Sequence, residues 1–221
     1  MSAGAAGPES KYHFADFPLI MVFGGFINMI YIVRHGQTAR NKAKLLKGRS
    51  DIPLNESGIM QAEAAAEWFR NQENRIDAIY SSPLKRAVET AKITAPNVPL
   101  LIEDRLIEMD YGPYESMDLT VPAPEVITFF SDFVHNPAPQ GMEPLSSVTA
   151  RLGEFLEEIR TRAESQNILL STHAIAMKGA LEYLTPASQG SYWSRHIGNC
   201  TVYAVAVNNG KYGVPYEVWN L

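Results

Sequence analysis

Short apolar runs alternate with amphipathic segments along most of this chain. Residues 29–33, 78–80 and 168–170 are apolar throughout, and such brief runs are typical of strands that are buried on both faces. Apolar residues then recur at helical spacing over 56–72 and over 145–164, the longest amphipathic stretch. Strands that alternate with helices predict an α/β fold, a three-layer α/β/α sandwich around a mainly parallel sheet.

Local capping signals indicate where the helices begin. Asn55 is a suitable N-cap for the first long helix. Ser82 and Pro83 predict an N-cap and a first helical position for a helix that runs to about residue 93, which puts Arg86 in its first turn. Two further helices are predicted directly after strands, over 38–43 and 174–184.

The regular pattern is interrupted before the helix over 145–164 and ends in a different pattern near residue 200. Five prolines between residues 111 and 142, several aromatic residues and one weak helix around 125–134 predict an inserted cap or lid over about 111–144. Apolar runs over 201–207 and 212–219 flank Asn209-Gly210, which predicts a C-terminal antiparallel hairpin.

The first 28 residues differ in composition from the remainder of the chain. Residues 1–10 are rich in Ala and Gly, and the later apolar run is broken by Pro18, Gly24 and Gly25. The segment lacks the basic start and cleavage site of a signal peptide and is short for a membrane span. We interpret residues 1–28 as an extension that is disordered or non-essential, with a single domain over 29–221. A role in membrane or partner docking is the alternative.

Composition narrows the class of protein. Hydrophobic residues make up 46% and charged residues 19%, as in ordinary soluble globular domains. The net charge of −5 argues against nucleic acid as a partner. Cys200 is the only cysteine, so no internal disulfide forms and a reducing, cytoplasmic location is expected. Cysteine and histidine do not occur at zinc-site spacings, and no metal is expected.

Basic and imidazole side chains follow three of the predicted strands. Arg34, His35 and Gly36 end the first, Arg86 follows the second, and His173 follows the strand at 168–170. The carboxyl ends of parallel strands meet at one edge of a sheet, where two arginines and two helix N-termini form an anion site. Five basic residues between 37 and 50 either attract anions to this edge or form an ordinary solvated face.

These residue types are suited to phosphoryl transfer. Nearby positive charge lowers the pKa of an imidazole, so His35 is expected to be neutral and nucleophilic. Arg34, Arg86 and His173 would stabilise the charge on the phosphoryl oxygens, and Glu108 would protonate the leaving oxygen. Each has an alternative interpretation, because a single histidine is more often a core residue and Glu108 by itself resembles a surface carboxylate.

Four blocks in this order resemble the histidine phosphatase superfamily, also called the phosphoglycerate mutase-like family, over about 29–221. The blocks are Arg34-His35-Gly36-Gln37-Thr38 with Asn41; 48–58 with Gln61-Ala62; 81–87 with Thr90; and Glu108 with Tyr111-Gly112 and Glu115. His173 and Asn199-Cys200 extend the match. The resemblance implies that His35 is phosphorylated, that Arg34, Arg86 and His173 hold the phosphoryl group, and that Glu108 donates the proton.

The resemblance also implies a set of substrate contacts and no metal or organic cofactor. We assign substrate binding to Gln37, Thr38, Asn41, Lys47, Gly48, Tyr111 and the backbone of Ala174. Ala174 stands where many members have glycine, but a helix start needs only its N–H. Ser116 likewise replaces a frequent glycine and is expected to affect the lid hinge.

The expected activity is a metal-independent phosphatase that hydrolyses a small phosphomonoester through phosphohistidine. Cofactor-dependent mutases of the family usually carry Trp where this chain has Arg40, and they have a longer insertion before Leu145. The alternatives are such a phosphoglycerate mutase and a non-catalytic protein that binds a phosphorylated ligand. The expected partner is a small phosphorylated metabolite, and the oligomeric state is left open, a homodimer included.

Overall fold

The computed structural model describes residues 28–72 and 75–221, and its centre is a seven-stranded sheet. The strands are β1 (Asn28–Arg34), β2 (Ala78–Ser81), β3 (Leu100–Ile102), β4 (Ile168–Thr172), β5 (Val202–Asn208), β6 (Lys211–Tyr212) and β7 (Tyr216–Trp219). The α-helices are α1 (Ala39–Lys42), α2 (Glu56–Arg70), α3 (Lys85–Thr94), α4 (Pro124–Ser131), α5 (Leu145–Ala163) and α6 (Ala174–Leu184). The interpretation of residues 1–27 lies outside the described part of the chain.

The sheet is mixed, with the order β3-β2-β4-β1-β5-β6 and with β7 paired to β5. Strands β1 to β4 are parallel to one another, as predicted, and β5 runs antiparallel to β1. Because β4 lies between β1 and β2, Arg34 is paired with Thr172, and Ser81 with Ser171. This register brings the carboxyl ends of three strands together at one edge of the sheet.

Alternating residues of β1 face two different hydrophobic cores. Ile30 and Ile32 join the core that contains residues of α5 and α6, while Tyr31 packs with Phe69 of α2 and Ala91 of α3. A strand that is covered on both faces needs a continuous apolar run, which explains its sequence. The predicted three-layer α/β/α arrangement is therefore confirmed.

The structure confirms one of the two predicted helix N-caps but not the other. Asn55 caps α2, accepting a hydrogen bond from the N–H of Gly58 at 2.8 Å. Ser82 does not cap α3, which begins at Lys85 without a side-chain cap. The N–H of Ser82 still pairs with the carbonyl oxygen of Ser171 at 3.0 Å, so the backbone remains bonded to β4 at the residue that was expected to cap the helix.

The helix predicted around 125–134 is α4, and the C-terminal hairpin follows the predicted pattern with one change. Helix α4 in the cap buries Val126 and Phe129 in the α5–α6 core. Asn209 and Gly210 adopt left-handed conformations and connect β5 to β6. The segment predicted as one strand over 212–219 is divided at Gly213, whose N–H donates to Ala206, and β7 resumes the pairing with β5. Within the described residues, no helix has the length and apolarity to cross a membrane.

Candidate active site

His35 lies at the end of β1 and is 1% exposed. Its N–H donates to the carbonyl oxygen of Thr172 at 2.9 Å, which fixes the backbone of His35 against the end of β4. The ring Nδ1 lies 2.6 Å from the carbonyl oxygen of Gly36. A carbonyl oxygen only accepts hydrogen bonds, so Nδ1 carries the proton and Nε2 keeps its lone pair. Nε2 is therefore the nucleophilic atom of this imidazole.

The pKa of His35 lies well below the ordinary histidine value. Burial is the largest cause, and the neighbouring basic groups Lys47, His173, Arg86 and Arg34 lower the pKa further. The sequence predicted that the pKa of His35 is lowered, but it indicated only nearby positive charge, and not burial, as the cause. Because neither burial nor these neighbours favour the imidazolium form, the ring is neutral at pH 7.

The backbone of the loop after His35 packs closely against the start of α2. A Cβ on Gly36 would lie 2.5 Å from the carbonyl oxygen of Gly58, and a Cβ on Gly58 would lie 2.1 Å from that of Gln37. Only glycine at both positions allows this contact. The N–H of Gly36 also donates to Thr90 Oγ1 at 3.0 Å, which links the loop to α3.

Arg86 is fully buried at the start of α3. Its Nη1 donates to the carbonyl oxygen of Ser50 at 2.7 Å, and its Nη2 donates to that of Gly48 at 2.6 Å. Its Nε donates to His173 Nδ1 at 3.2 Å. Burial lowers the pKa of Arg86 to about 10, so the guanidinium remains charged at neutral pH.

His173, directly before α6, has both ring nitrogens engaged. Nδ1 accepts from Arg86, and Nε2 therefore donates to Ser82 Oγ at 2.7 Å. The His173 ring centroid is 5.1 Å from that of His35. Burial and then Arg86 hold the pKa of His173 well below the ordinary value. Sequence reasoning missed this role of Ser82, and its place directly after a strand end was the available signal.

Arg34 is the last residue of β1 and directly precedes His35. Its Nη1 donates to the carbonyl oxygen of Ile197, and its backbone is hydrogen-bonded to Thr201 and Cys200. Burial lowers the pKa of Arg34. Its Nε is buried and has no hydrogen-bond partner among the described residues. A buried N–H of this kind is available to an anion that enters the site.

Glu108 is buried beside the N-terminus of α6 rather than at the end of a strand. It follows a short 3₁₀ turn over Asp104–Leu106. Its carboxylate accepts from the N–H groups of Ile175 at 3.3 Å and Ala176 at 3.0 Å, and from Met109 at 2.9 Å. The N-terminus of α6 therefore holds this carboxylate through N–H groups that lie two and three residues after His173.

An ion pair outside the site supports the loop that carries Glu108. Arg151 of α5 donates through Nη1 to the carbonyl oxygens of Arg105 at 2.6 Å and Ile107 at 2.7 Å. Its Nε lies 2.9 Å from Glu143, which also accepts from the N–H of Asp110. Both backbone segments that flank Glu108 are thus held by one partly buried ion pair.

Lys47, Thr38 and Asn41 form a connected group beside His35. Thr38 and Asn41, three residues apart, make a capping box at the start of α1. Lys47 Nζ donates to Thr38 Oγ1 at 3.1 Å and to Asn41 Oδ1 at 2.6 Å. Three of the predicted substrate-binding residues therefore contact one another.

The remaining predicted substrate-binding residues surround this group. Tyr111 packs on Gly48, where a Cβ would lie 2.8 Å from its ring, and burial raises the pKa of Tyr111. Ala174 begins α6. The Gln37 side chain accepts from Asn55 Nδ2 at 2.9 Å, so it is engaged with the start of α2. The structure brings the predicted residues to one edge of the sheet, with the amide of Gln37 directed to Asn55.

Glu115 and Asn199 also shape the site, although the motif blocks assigned them no role. Glu115 accepts from the N–H of Gly48 at 2.8 Å and contacts Ser50 and Arg40, so it connects the cap to the Gly48 loop. Asn199 Nδ2 donates to the carbonyl oxygen of His35 at 2.9 Å. In residues 28–72 and 75–221, no group of three or more His, Cys, Asp or Glu side chains is placed to hold a metal ion.

The chain is similar to known proteins over most of its length. The chain is 32% identical over 170 residues to phosphoserine phosphatase 1 of Hydrogenobacter thermophilus, covering 75% of this chain and 80% of that protein. It is 30% identical over 179 residues to a probable phosphoglycerate mutase, GpmB, of Yersinia pestis, covering 78% and 82%. The solved structure of Bacillus stearothermophilus YhfR superposes with a TM-score of 0.76 at 28% identity, covering 84% and 94%.

The family comparison covers nearly all of the described residues. The sequence model of the histidine phosphatase superfamily (branch 1) matches residues 30–220. This range contains both histidines, both arginines and Glu108. The chain belongs to the histidine phosphatase superfamily.

Proposed function

We propose that this protein is a phosphatase that hydrolyses a small phosphomonoester through a phosphohistidine at His35, without a metal ion. The observation that carries the proposal is the state of His35, whose Nδ1 proton is held by the carbonyl oxygen of Gly36. The opposite nitrogen is a neutral nucleophile among the charged Arg34 and Arg86. Phosphatase activity is also supported by the relatives that are named phosphoserine phosphatases.

In the first step His35 Nε2 attacks the phosphorus atom and the P–O bond to the leaving alcohol breaks. The electron pair of that bond goes to the alcohol oxygen, which takes a proton from the Glu108 carboxyl group. Arg34 and Arg86 stabilise the charge on the three remaining phosphoryl oxygens. These two guanidinium groups supply the positive charge that a metal ion supplies in other phosphoryl-transfer enzymes.

In the second step a water molecule attacks the phosphohistidine. The Glu108 carboxylate takes one proton from that water, the P–N bond breaks, and its electron pair returns to His35 Nε2. Phosphate leaves and both residues regain their starting protonation states. Glu108 is held by the three N–H groups of Met109, Ile175 and Ala176, so it remains in place through both steps.

The substrate is proposed to be a phosphorylated metabolite with a small organic group. Tyr111 would contact that group, since its ring packs on Gly48 and lies 6.5 Å from that of Phe130. Phosphoserine is the first compound to assay, because two similar proteins from Hydrogenobacter thermophilus carry that substrate in their names.

Trapping of the intermediate tests the proposal. The protein is incubated with a panel of phosphorylated metabolites, denatured rapidly and mapped for acid-labile phosphate. Label on His35, phosphate release that persists in chelator, and loss of both in His35→Ala support the proposal. His135→Ala is the matched control, because His135 lies on the cap surface with a side chain that is 80% exposed. Activity that is abolished by chelator, or an unlabelled His35, refutes it.

A phosphoglycerate mutase is the second candidate, since a similar protein from Yersinia pestis carries that name. A mutase returns the phosphoryl group to a glycerate oxygen, whereas a phosphatase transfers it to water. In this chain Arg40, at the position where mutases usually have Trp, donates to Ser116 at 2.7 Å and Ser50 at 2.8 Å. Incubation with 2-phosphoglycerate distinguishes the two, because only the mutase produces 3-phosphoglycerate faster than phosphate.

A further inference from the structure

Lys47 is a buried lysine whose amino group has only neutral hydrogen-bond partners. The residue is 8% exposed, and its Nζ donates to the hydroxyl of Thr38 and the amide oxygen of Asn41. Among the residues that the structure describes, no carboxylate lies within 4.0 Å of Nζ. An ammonium group has three donors, so one remains for a ligand.

The groups that face Lys47 are mostly positive. Arg34 at the end of β1 and Arg86 at the start of α3 both disfavour its charged form. The carboxylates of Glu108 and Glu115 favour it, but Glu108 is bound to the N-terminus of α6 and Glu115 to the N–H of Gly48. The imidazoles His35 and His173 face it as well, and the charge of Lys47 lowers the pKa of each.

These surroundings make Lys47 unusual for a lysine. Burial, followed by Arg86 and Arg34, lowers the pKa of Lys47 to about 6. In the empty site the side chain is therefore largely uncharged at pH 7.5. A phosphoryl dianion beside Nζ reverses the sign of the local potential, because an opposite charge within about 4–6 Å favours the charged form.

We propose that Lys47 is a further phosphoryl ligand that takes up one proton from solvent when the phosphoryl group binds and releases it when phosphate leaves. The inference deepens the proposed function and rests on it. The binding step converts the neutral amine to an ammonium ion, which adds a third cation beside Arg34 and Arg86. No bond to carbon or phosphorus changes in this step, and the proton comes from water or buffer.

This coupling has a functional consequence. A permanent third charge would repel Arg34 and Arg86 in the empty protein, and its repulsion would oppose folding. A lysine that is charged only in the complex attracts the bound anion but does not repel the two arginines while the site is empty. Product phosphate is then released together with the proton, so release is easier at higher pH.

Tungstate is a suitable probe because it is a tetrahedral dianion without a titratable proton at pH 7.5 to 8.5. Calorimetric titration at pH 7.5 in two buffers of different ionisation enthalpy measures the protons that are taken up on binding. We expect uptake of about one proton by the wild-type protein and a tungstate Kd that rises by up to about tenfold per pH unit.

Two variants of Lys47 and one control variant test whether Lys47 is the group that takes up the proton. Lys47→Arg keeps a permanent charge and Lys47→Gln has none, so both are expected to lose the uptake and the pH dependence of Kd. In Lys47→Gln the affinity is also expected to be lower. Lys42→Gln removes the same charge from an exposed position on α1 and should behave as wild type. Circular dichroism at the same pH establishes that each variant is folded before its titration is used.

The outcomes separate this inference from the proposed function. Proton uptake that persists in folded Lys47→Arg and Lys47→Gln overturns the inference, because His35 or His173 then takes the proton. Binding of tungstate by wild type without proton uptake also overturns it. Neither result affects the phosphohistidine trapping, which tests the proposed function alone.

Discussion

Arg86 Nε donates a hydrogen bond to His173 Nδ1 at 3.2 Å, and His173 Nε2 in turn donates to Ser82 Oγ at 2.7 Å. The second histidine of the site therefore orients the buried guanidinium in the absence of ligand. Together with the carbonyl oxygens of Gly48 and Ser50, it fixes all three nitrogens of Arg86. Such preorganised donors need little rearrangement when charge develops on a phosphoryl group.

The first prediction concerns His173. Replacing it with Ala removes one partner of Arg86 and an imidazole 5.1 Å from His35, so kcat should fall by about 10²–10³. Steady-state kinetics with the best substrate of the panel provide the measurement, and the tungstate Kd reports separately on the anion site. His135→Ala should retain wild-type values. A His173→Ala variant with unchanged kcat would show that Arg86 is held by Gly48 and Ser50 alone.

Glu108→Gln tests the proton donor. The amide keeps the shape of the side chain but has no transferable proton, so kcat on an alkyl phosphate should fall by about 10²–10⁴. An aryl phosphate with a nitrophenolate leaving group needs less protonation, and its rate should fall less. Glu63→Gln, on the exposed face of α2, is the matched control. Equal losses with both substrates would contradict the role of general acid.

Acid sensitivity of the fold follows from the two buried histidines. The native pKa values of His35 and His173 lie well below 6.5, whereas both rings titrate near 6.5 in the unfolded chain. Below pH 6.5 the unfolded state therefore binds protons that the native state does not. The free energy of unfolding should fall as the pH falls, by up to about 1.4 kcal/mol per pH unit for each histidine.

Urea unfolding at pH 7.0 and 5.5 measures this effect. In His35→Gln one of the two contributions is removed, so the loss of stability between these pH values should be smaller than in wild type. His135→Gln changes an exposed ring and should keep the wild-type loss. An identical loss in wild type and His35→Gln would indicate that His35 titrates normally in the native protein.

Gly36→Ala tests the backbone contact behind the nucleophile. The added Cβ would lie 2.5 Å from the carbonyl oxygen of Gly58, so the loop or α2 must shift, at a cost of about 1–3 kcal/mol in stability. Phosphate release should decline as well because His35 precedes this glycine. Gly213→Ala is the control, since its nearest contact would be 3.5 Å away, at Ala206. Thermal unfolding and turnover of both variants are compared, and equal behaviour would refute the prediction.

The sequence by itself determined most of the elements and the composition of the site. Apolar runs and helical spacing are local signals, and they located β1, α2 and α5 to within a few residues. The same signals showed that Arg34, Arg86 and His173 follow strands. The parallel arrangement of β1, β2 and β4 then brings these residues to one edge, which the alternation of strands and helices had predicted.

Only the tertiary structure decided how these side chains are engaged. Ser82 has the sequence signature of a helix cap, but its N–H pairs with Ser171 of β4 and its hydroxyl pairs with His173 instead. Glu108 acquires its partners from α6, which is 66 or more residues away in sequence, and no local pattern encodes that contact. Burial, the main cause of the lowered pKa of His35 and Lys47, is a property of the packed layers and is absent from the isolated segments.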